Sequence, residues 1–476
     1  MDVNLNKSYT ASDIEAPTGV NIELTEICNV KCKHCYNPWR DESMGMYELN
    51  VFKIKKIIAK LSEIGVFHVI LSGGEPLSNY DILKKAMSLI KEHNMTFSMN
   101  TNLILANDKN MSELRELGLE HCLTSIPSID ADENDEIMQS KGTLKKILDG
   151  IKACIKNDIR VSANMVVTKS NKHRVYETGK MMAELGCTKF FVTRAVPPIY
   201  SAVAKDSDND AHEELILSHE DVKKSLDDAI KIKEEYGIAI GSLISYPLCF
   251  LGDLQKYSDF AGRGCPSQRG GIVNISSSGD LHTCVHEEET YGNIFKHSLK
   301  EIYQTTMKKW RDGSMHYEGC KGCEYLQVCH SGCQMTANAV NGKTASKDPL
   351  FKGYDAITNH FDLISDNKIF DYINSKGKFF VPERVRFRDD QKVMLVNARW
   401  GNYITVSKDV GAFLQKAYSE KLEFDIHSFG LDRKEFLANL FFKDVIESVE
   451  KLDISKVITG LSYDSMYLPK NIKKNI

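Results

Sequence analysis

Residues 21–35 read NIELTEICNVKCKHC, in which a short strand pattern runs directly into three cysteines. Polar and apolar residues alternate over the first five positions, as in a half-buried β-strand. Cys28, Cys32 and Cys35 then follow with the spacing C-x3-C-x2-C. Three thiolates at this spacing can wrap three corners of a cubane iron–sulfur cluster and leave its fourth iron open. Zinc is the alternative, and it needs a fourth ligand, for which His34 is available inside the triplet.

Outward from this stretch, residues 19–240 alternate strand patterns with amphipathic helical patterns. Strands are predicted at Val20–Leu24, His68–Leu71, Thr96–Asn100, His121–Ser125, Val161–Val167 and Lys189–Thr193, and helices at Tyr47–Glu63, Asp81–Glu92, Leu144–Asn157 and His173–Leu185. Repeated alternation predicts an α/β fold with a parallel sheet, and six units suit a partial (β/α)6 TIM-type barrel. In such barrels the chemistry collects at the carboxyl ends of the strands.

The second predicted strand ends in Ser72-Gly73-Gly74-Glu75-Pro76. Two glycines at a strand end let the backbone approach a ligand closely, and Glu75 supplies a carboxylate there. A Gly-Gly-Glu sequence alone usually means a turn. Placed one β–α unit after the cysteine triplet, it resembles the cofactor-binding arrangement of the radical S-adenosylmethionine (radical SAM) superfamily.

The resemblance covers residues 19–240 and implies a cofactor site. The implied cluster ligands are Cys28, Cys32 and Cys35, and the implied SAM contacts are Gly73, Gly74, Glu75, Asn102 and Ser125. The cluster would be a [4Fe–4S] cluster whose open iron takes the amino and carboxylate groups of SAM. Reductive cleavage of SAM would then release a 5′-deoxyadenosyl radical that abstracts a hydrogen atom from the substrate. An electron donor such as flavodoxin or ferredoxin is implied as a partner.

A second cysteine-rich region lies further along the chain. The spacing C-x2-C-x5-C-x3-C occurs at Cys320, Cys323, Cys329 and Cys333, and Cys265-x13-Gly279-x4-Cys284 precedes it. Four thiolates within such a short segment can hold zinc. Taken together, however, these cysteines resemble the SPASM domain, which follows the radical SAM core in peptide-modifying enzymes.

The SPASM resemblance implies one or two auxiliary [4Fe–4S] clusters. By that pattern Cys265, Cys284 and Cys333 bind a first auxiliary cluster with Cys249 as the candidate fourth ligand, and Cys320, Cys323 and Cys329 bind a second. The sequence departs from the pattern because a further cysteine is expected soon after Cys333, and Phe351 stands at that position. An oxygen ligand such as Asp348, an open iron, or the absence of the second cluster are the alternatives.

Composition limits the other function classes. The 476 residues carry a formal net charge of −4 and no long basic run, so neither nucleic acid nor an anionic membrane is an expected partner. The N-terminus has no signal-peptide pattern, and no apolar run reaches the length of a membrane span, so a cytoplasmic location is expected. In that reducing compartment clustered cysteines indicate metal ligation. The isolated Cys122, Cys154 and Cys187 are interpreted as small buried hydrophobic residues.

The C-terminal part contains no cysteine and has its own pattern. Strands are predicted at Val385–Arg388, Val393–Asn397 and Tyr403–Val406, followed by helices at Lys408–Ser419 and Arg433–Glu450. This order resembles a small winged-helix module, the PqqD-like recognition element of ribosomally made peptides, which binds a leader peptide as an added strand. A packing or dimerisation extension is the alternative. The expected domains are an N-terminal extension (1–18), a radical SAM core (19–240), a SPASM domain (241–369) and this module (370–476).

Two enzyme functions fit the resemblance. One is maturation of a ribosomally made peptide precursor with a leader, by thioether or carbon–carbon cross-linking or by epimerisation. The other is sulfatase maturation, in which Cys or Ser becomes formylglycine; such enzymes usually carry Asp where Val285 follows Cys284, so the first is favoured. A non-catalytic electron-transfer protein is the third hypothesis. No catalytic acid or base can be named, and His286, Arg194 and Glu287 are candidates by position only.

Overall fold

The computed structural model describes residues 11–36, 47–198, 214–261, 264–360, 378–399, 402–425, 440 and 445–449. The strands are β1 (Gly19–Glu23), β2 (His68–Ser72), β3 (Thr96–Thr101), β4 (His121–Ser125), β5 (Arg160–Val167), β6 (Lys189–Arg194), β7 (Ala239–Gly241), β8 (Ile272–Ile275), β9 (Leu281–His282), β10 (Phe379–Phe380), β11 (Arg386–Asp389), β12 (Met394–Arg399), β13 (Asn402–Val406) and β14 (Glu447–Ser448). The α-helices are α1 (Val51–Glu63), α2 (Tyr80–Glu92), α3 (Asp108–Leu117), α4 (Ala131–Met138), α5 (Thr143–Lys156), α6 (Val175–Glu184), α7 (His219–Tyr236), α8 (Leu248–Leu251), α9 (Leu299–Gln304), α10 (Leu326–Cys329), α11 (Gln334–Asn341) and α12 (Lys408–Ser419). Short 3-10 helices span Ala11–Asp13, Pro76–Asn79, Lys172–Arg174, Ser258–Phe260, Thr306–Trp310, Glu318–Cys320 and Tyr354–Ala356.

The main sheet has nine strands in the order β7-β6-β5-β4-β3-β2-β1-β8-β9. Strands β1 to β7 pair in parallel with their neighbours, and each of the six predicted strands is present within two residues of its predicted bounds. The parallel sheet of a partial TIM-type barrel, predicted from the β–α alternation, is therefore confirmed. Its carboxyl edge brings the ends of β1, β2, β3 and β4 side by side.

Strand β1 shows why these residues form the barrel. Val20 and Ile22 are buried at 0% and 1% exposure, and they pack in the apolar core with Ile54 of α1. The alternate residues Asn21 and Glu23 are also buried but polar. Because successive side chains of a strand point to opposite faces, the polar pair lies on the face away from the helices. That face lines the inside of the barrel.

The cysteine-rich region is joined to the barrel by strand pairing. Strand β8 pairs in parallel with β1, and β9 pairs antiparallel with β8. The predicted domain boundary between residues 240 and 241 falls within β7 (Ala239–Gly241). The SPASM region thus extends the sheet of the core from its β1 edge. Within the described residues no helix is both long and apolar enough to cross a membrane.

The C-terminal region docks against the amino ends of the barrel strands. Strands β11, β12 and β13 form an antiparallel sheet that leads into α12, as predicted from the sequence. The buried Arg388 donates to the carbonyls of Ala16 and Pro17, just before β1. The predicted helix Arg433–Glu450 is wrong at its end, because Glu447–Ser448 forms β14 and pairs with β10. Most of that predicted helix lies outside the described residues, so the winged-helix assignment stays a prediction.

Candidate metal centres

The first cysteine triplet lies in the loop that leaves the carboxyl end of β1. Cys28 is exposed, and Cys32 and Cys35 are partly buried. The Cys35 N–H donates to the Cys32 carbonyl at 3.0 Å, which forms a tight turn between the last two thiols. The Lys33 N–H donates to the Ile137 carbonyl at 2.9 Å, which fixes the loop to α4. The triplet is therefore held in place by backbone hydrogen bonds.

The Gly-Gly-Glu segment runs directly against the start of this loop. The Gly74 N–H donates to the Thr25 carbonyl at 2.6 Å, and the Glu75 N–H donates to the Ile27 carbonyl at 2.8 Å. A Cβ at Gly73, where φ is +134°, would lie 2.4 Å from the Thr25 oxygen, and one at Gly74 would lie 2.2 Å from the Ile27 oxygen. Both glycines are thus required by the backbone that leads into the cysteines.

Glu75 links the loop to the next strand. Its carboxylate is 1% exposed, and its Oε1 accepts from the Leu77 N–H at 3.0 Å and the Thr101 hydroxyl at 2.6 Å. Its Oε2 accepts from the Asn102 N–H at 2.7 Å, and the Asn102 amide donates to Asn29 Oδ1 at 2.7 Å. Burial raises the pKa of Glu75, against the effect of these hydrogen bonds. One network therefore joins Glu75 and Asn102 to the cysteine loop.

The other predicted cofactor contact, Ser125, stands at the end of β4, two strands from β2, where it is half-buried and pairs in register with Asn164. It shares the carboxyl edge of the sheet with Glu75 but lies further round the barrel. The structure thus brings Asn102 into the Glu75 network and leaves Ser125 outside it.

The Cys28 thiol is poorly ionised in the absence of iron. Although Cys28 as a residue is exposed, burial of its sulfur, followed by the nearby Glu75 carboxylate and Cys35 thiol, raises its pKa to about 12. A thiolate is the form that binds iron, so cluster uptake must release this proton. Three soft thiolate donors in one loop suit an iron–sulfur cluster.

Three further cysteines come together in the SPASM region. Burial first, and then the thiols of Cys265 and Cys333, raise the pKa of Cys284. Cys333 likewise raises the pKa of Cys265, after burial. The Thr336 N–H donates to Cys333 Sγ at 3.4 Å. These contacts gather the three cysteines that the pattern assigns to the first auxiliary cluster.

The remaining cysteines of the region surround one cavity. Its cysteine lining consists of Cys249, Cys320, Cys323 and Cys329. Burial raises the pKa of Cys329 to about 12, and Cys249 and Cys320 contribute further. The cavity places Cys249 beside the cysteines expected for the second auxiliary cluster, because α8 contributes Leu248 and Cys249 to its lining. Among the described residues, no three His, Cys, Asp or Glu side chains are close enough to share a single metal ion.

Asp348, the candidate oxygen ligand, is fully occupied by other partners. It is 0% exposed and forms a two-pronged ion pair with Arg194, at 2.8 and 2.6 Å. The backbone N–H groups of Cys333 and Leu350 donate to its two oxygens at 2.9 Å each. Each carboxylate oxygen thus accepts two hydrogen bonds, which uses its lone pairs. Asp348 and Arg194 accordingly fasten the SPASM region to the end of β6.

The two other acid–base candidates differ in their surroundings. The Glu287 carboxylate accepts from the Thr283 N–H at 3.1 Å and the Tyr291 hydroxyl at 2.7 Å, and burial raises its pKa. These bonds give Glu287 a structural role in the turn after β9. Among the described residues, the buried His286 Nδ1 has no hydrogen-bond partner, and burial lowers the pKa of this ring to about 4.

An aromatic contact connects the triplet to the first auxiliary set. The rings of Tyr36 and His286 lie 4.4 Å apart between centroids. Tyr36 directly follows Cys35, and His286 lies two residues after Cys284. The first auxiliary set therefore lies next to the cysteine triplet, at the carboxyl edge of the barrel.

Sequence reasoning missed the polar residues that support the site. Glu23 is 5% exposed inside the barrel, and burial, then the charge of Glu26, raises its pKa to about 8. Glu26 accepts from the Ser277 hydroxyl at 2.7 Å, which joins the triplet loop to the SPASM region. The signal was the alternation of polar residues along β1, since a strand of a parallel sheet normally reads as a near-continuous apolar run.

Comparison with known proteins identifies both regions. The profile of the Radical SAM superfamily matches residues 22–182, and that of the SPASM iron–sulfur cluster-binding domain matches residues 265–324. The second match resolves the alternative of zinc in favour of iron–sulfur clusters. The first is the family whose members bind a [4Fe–4S] cluster and SAM.

Relatives and solved structures agree with these matches. A PqqA peptide cyclase of Bradyrhizobium diazoefficiens is 26% identical over 352 residues, 71% of this chain and 87% of that protein. An AdoMet-dependent heme synthase of Methanosarcina barkeri is also 26% identical, over 70% of this chain and 96% of that protein. Streptococcus suis SuiB bound to its precursor peptide SuiA superimposes with a TM-score of 0.56 at 18% identity, covering 71% of this chain and 77% of SuiB. Native anSMEcpe with bound AdoMet gives 0.57 at 19% identity, covering 72% and 96%.

Proposed function

We propose that this chain is a radical SAM enzyme with a SPASM domain and that it matures a ribosomally made peptide precursor. The modification is a thioether or carbon–carbon cross-link or an epimerisation. The relatives named PqqA peptide cyclase and the likeness to peptide-bound SuiB support a peptide substrate. The observation that carries the proposal is the placement of the first auxiliary set beside the triplet, through Tyr36 and His286.

We assign the cofactor-binding roles as follows. Cys28, Cys32 and Cys35 hold the [4Fe–4S] cluster, and Gly73, Gly74 and Glu75 receive the methionine amino group of SAM. When bound, cluster and SAM together supply a radical that removes a hydrogen atom from the substrate. Within the part of the chain that the structure describes, the Glu75 Oε2 accepts one hydrogen bond, from the Asn102 N–H, so it keeps a lone pair for an ammonium group. Asn102 and Ser125 remain proposed contacts to ribose or carboxylate.

The protein's own contribution is positioning. The glycine contacts fix the triplet loop against the end of β2, and the Arg194–Asp348 pair fixes the SPASM region to the end of β6. A radical reaction requires the target C–H to lie close to the radical, so small displacements of either part reduce the rate strongly. A flavodoxin or ferredoxin in the cytoplasm would supply the electron.

Sulfatase maturation is less well supported. Val285 stands where an Asp base would follow Cys284, and the nearest buried acid, Glu287, is held by Thr283 and Tyr291. A carboxylate in those bonds is poorly placed to take a proton from a substrate.

The test is an anaerobic incubation of reconstituted enzyme with SAM, reductant and synthetic peptides from the short reading frames beside its gene. The reaction is run in D2O and analysed by mass spectrometry. A cross-link removes two hydrogen atoms, epimerisation adds one deuterium, and formylglycine is recognised by its aldehyde. A tetrapyrrole is tested in parallel, because one relative is named a heme synthase. Turnover of the tetrapyrrole alone, or of a sulfatase peptide alone, would contradict the proposal.

A further inference from the structure

The cavity between α8 and α10 collects cysteines from two distant parts of the chain. Cys249 comes from α8, whereas Cys320, Cys323 and Cys329 lie some 70–80 residues later. Phe351 lines the same cavity. The four thiols that line this cavity form a donor set of the size that a cubane cluster needs.

The backbone around this cavity donates to the sulfurs. The Lys352 N–H lies 3.4 Å from Cys249 Sγ, and the Leu248 N–H lies 3.4 Å from Cys329 Sγ. Hydrogen bonds to ligand sulfurs are the usual surroundings of iron–sulfur clusters, where they tune the reduction potential. The first of these bonds comes from the residue next to Phe351, so Cys249 reaches the place where the SPASM pattern has its missing cysteine.

We infer that Cys249 is the fourth ligand of the second auxiliary cluster, which it holds together with Cys320, Cys323 and Cys329. The inference rests on one part of the proposed function, namely that the SPASM region binds iron–sulfur clusters. It makes the second cluster fully cysteine-ligated. The first auxiliary set then consists of Cys265, Cys284 and Cys333, without Cys249.

The neighbouring side chains leave the thiol as the suitable donor. Asp348 accepts four hydrogen bonds from Arg194, Cys333 and Leu350, as described above. Phe351 has no donor atom, and its ring packs edge-on against Tyr317 at 5.2 Å. Cys249 therefore replaces the missing ligand from a different element of the fold.

The test compares Cys249→Ala and Cys249→Ser with Cys187→Ala, a buried cysteine of the barrel that lines no part of this cavity. Each full-length protein is reconstituted anaerobically, and iron, sulfide and zinc are counted per chain. Electron paramagnetic resonance is recorded on oxidised and reduced samples. We expect both Cys249 variants to lose from one to about four irons, with a three-iron signal where one iron leaves. The Cys187→Ala protein keeps the wild-type count and spectrum.

A restoring variant guards against simple misfolding. In Cys249→Ala/Phe351→Cys, a thiol enters the same cavity from the opposite segment. We expect this double variant to recover the iron count and the spectrum of the second auxiliary cluster. Combining Cys249→Ala with Cys320→Ala should remove no more iron than Cys320→Ala alone, because both act on one cluster. Combining it with Cys265→Ala should remove more, because two clusters are affected.

Three results would overturn the inference. They are a Cys249→Ala protein with the wild-type iron count and spectrum, iron loss that follows Cys265→Ala instead of Cys320→Ala, and stoichiometric zinc at the cavity. Failure of the proposed peptide chemistry would look different, since the wild type would carry its full iron and cleave SAM but leave every peptide unchanged.

Discussion

The triplet loop and the four-cysteine cavity gather their thiols in opposite ways. Cys28, Cys32 and Cys35 lie within eight residues, and one loop held by β1 and α4 presents them. At the cavity, Cys249 meets its partners only because α8 packs against the segment of Cys320. A local motif can therefore be read from spacing, whereas a ligand set assembled by packing cannot. The triplet site therefore depends on the loop after β1, whereas the cavity depends on the packing of α8 beside the Cys320 segment.

The largest effect is expected where the triplet loop touches the Gly-Gly-Glu segment. In Gly74→Ala the new Cβ would lie 2.2 Å from the Ile27 carbonyl oxygen, so the loop must move. We expect SAM cleavage to fall on the order of 100-fold, because a displacement near 1 Å disrupts a reacting geometry. Production of 5′-deoxyadenosine by the reconstituted protein measures this, while the auxiliary clusters keep their spectra. The control is Gly271→Ala, whose Cβ meets its nearest neighbour at 3.7 Å; equal losses in both variants would refute the argument.

The next effect concerns the ion pair that fastens the cavity region to the barrel. Asp348→Asn leaves the Arg194 charge buried without its partner, which costs about 3–5 kcal/mol of the free energy of unfolding. Denaturant unfolding of the reconstituted protein measures the loss, and its iron count should stay at the wild-type value. The matched change Asp149→Asn breaks the exposed pair with Lys145 and should leave the free energy of unfolding close to the wild-type value. Selective loss of the second auxiliary cluster without a loss of stability would show that Asp348 is a ligand after all.

A smaller effect is expected at the base of the barrel, away from both metal regions. Arg388→Met removes the guanidinium bonds to the carbonyls of Ala16 and Pro17 and leaves Asp390 without its buried partner. We expect a loss of about 1.5–3 kcal/mol in stability, less than for Asp348→Asn because the Asp390 carboxylate still accepts from the Glu15 N–H at 2.8 Å, with faster proteolysis of the C-terminal region. SAM cleavage should stay close to wild type, because this contact lies at the amino ends of the strands. A large fall in 5′-deoxyadenosine from the intact variant would contradict that separation.

The smallest effect is a pH dependence from Glu23. Its folded pKa of about 8 lies above its unfolded value, so the folded state holds a proton that the unfolded chain releases. Stability from this group is therefore fully present below the unfolded pKa of about 4.5 and is lost as the pH rises from there through about 8. In Glu23→Gln that part of the decline should disappear. Thermal unfolding at pH 6 and pH 8.5 checks it, and an equal decline in wild type and variant would count against a neutral Glu23.

Much of the core could be predicted from the sequence because its signals are local. The alternation of β1 and the repeated β–α units gave six strands within two residues of their observed bounds. The sequence also predicted that the cysteine triplet and Glu75 lie together, because the two motifs follow successive strands, one β–α unit apart. The Arg194–Asp348 pair was not foreseen as a pair, because 154 residues separate its members.

The parts that could not be predicted depend on long-range contacts. The pairing of β8 with β1 adds a SPASM strand to the barrel, and nothing in the pattern around Ile272 signals it. The end of the predicted helix Arg433–Glu450 was wrong because its residues Glu447–Ser448 find a strand partner in Phe379–Phe380. The position of Cys249 belongs to the same class, since the SPASM pattern groups it with Cys265, whereas the cavity brings it beside Cys320.

The central claim is tested most directly by 5′-deoxyadenosine formation in wild type and in a Cys28/Cys32/Cys35→Ala triple variant, with iron counted in both. We expect about twelve irons and SAM cleavage in the wild type, and about eight irons with no 5′-deoxyadenosine in the variant. SAM cleavage that survives the triple substitution, or stoichiometric zinc in place of iron, would contradict it.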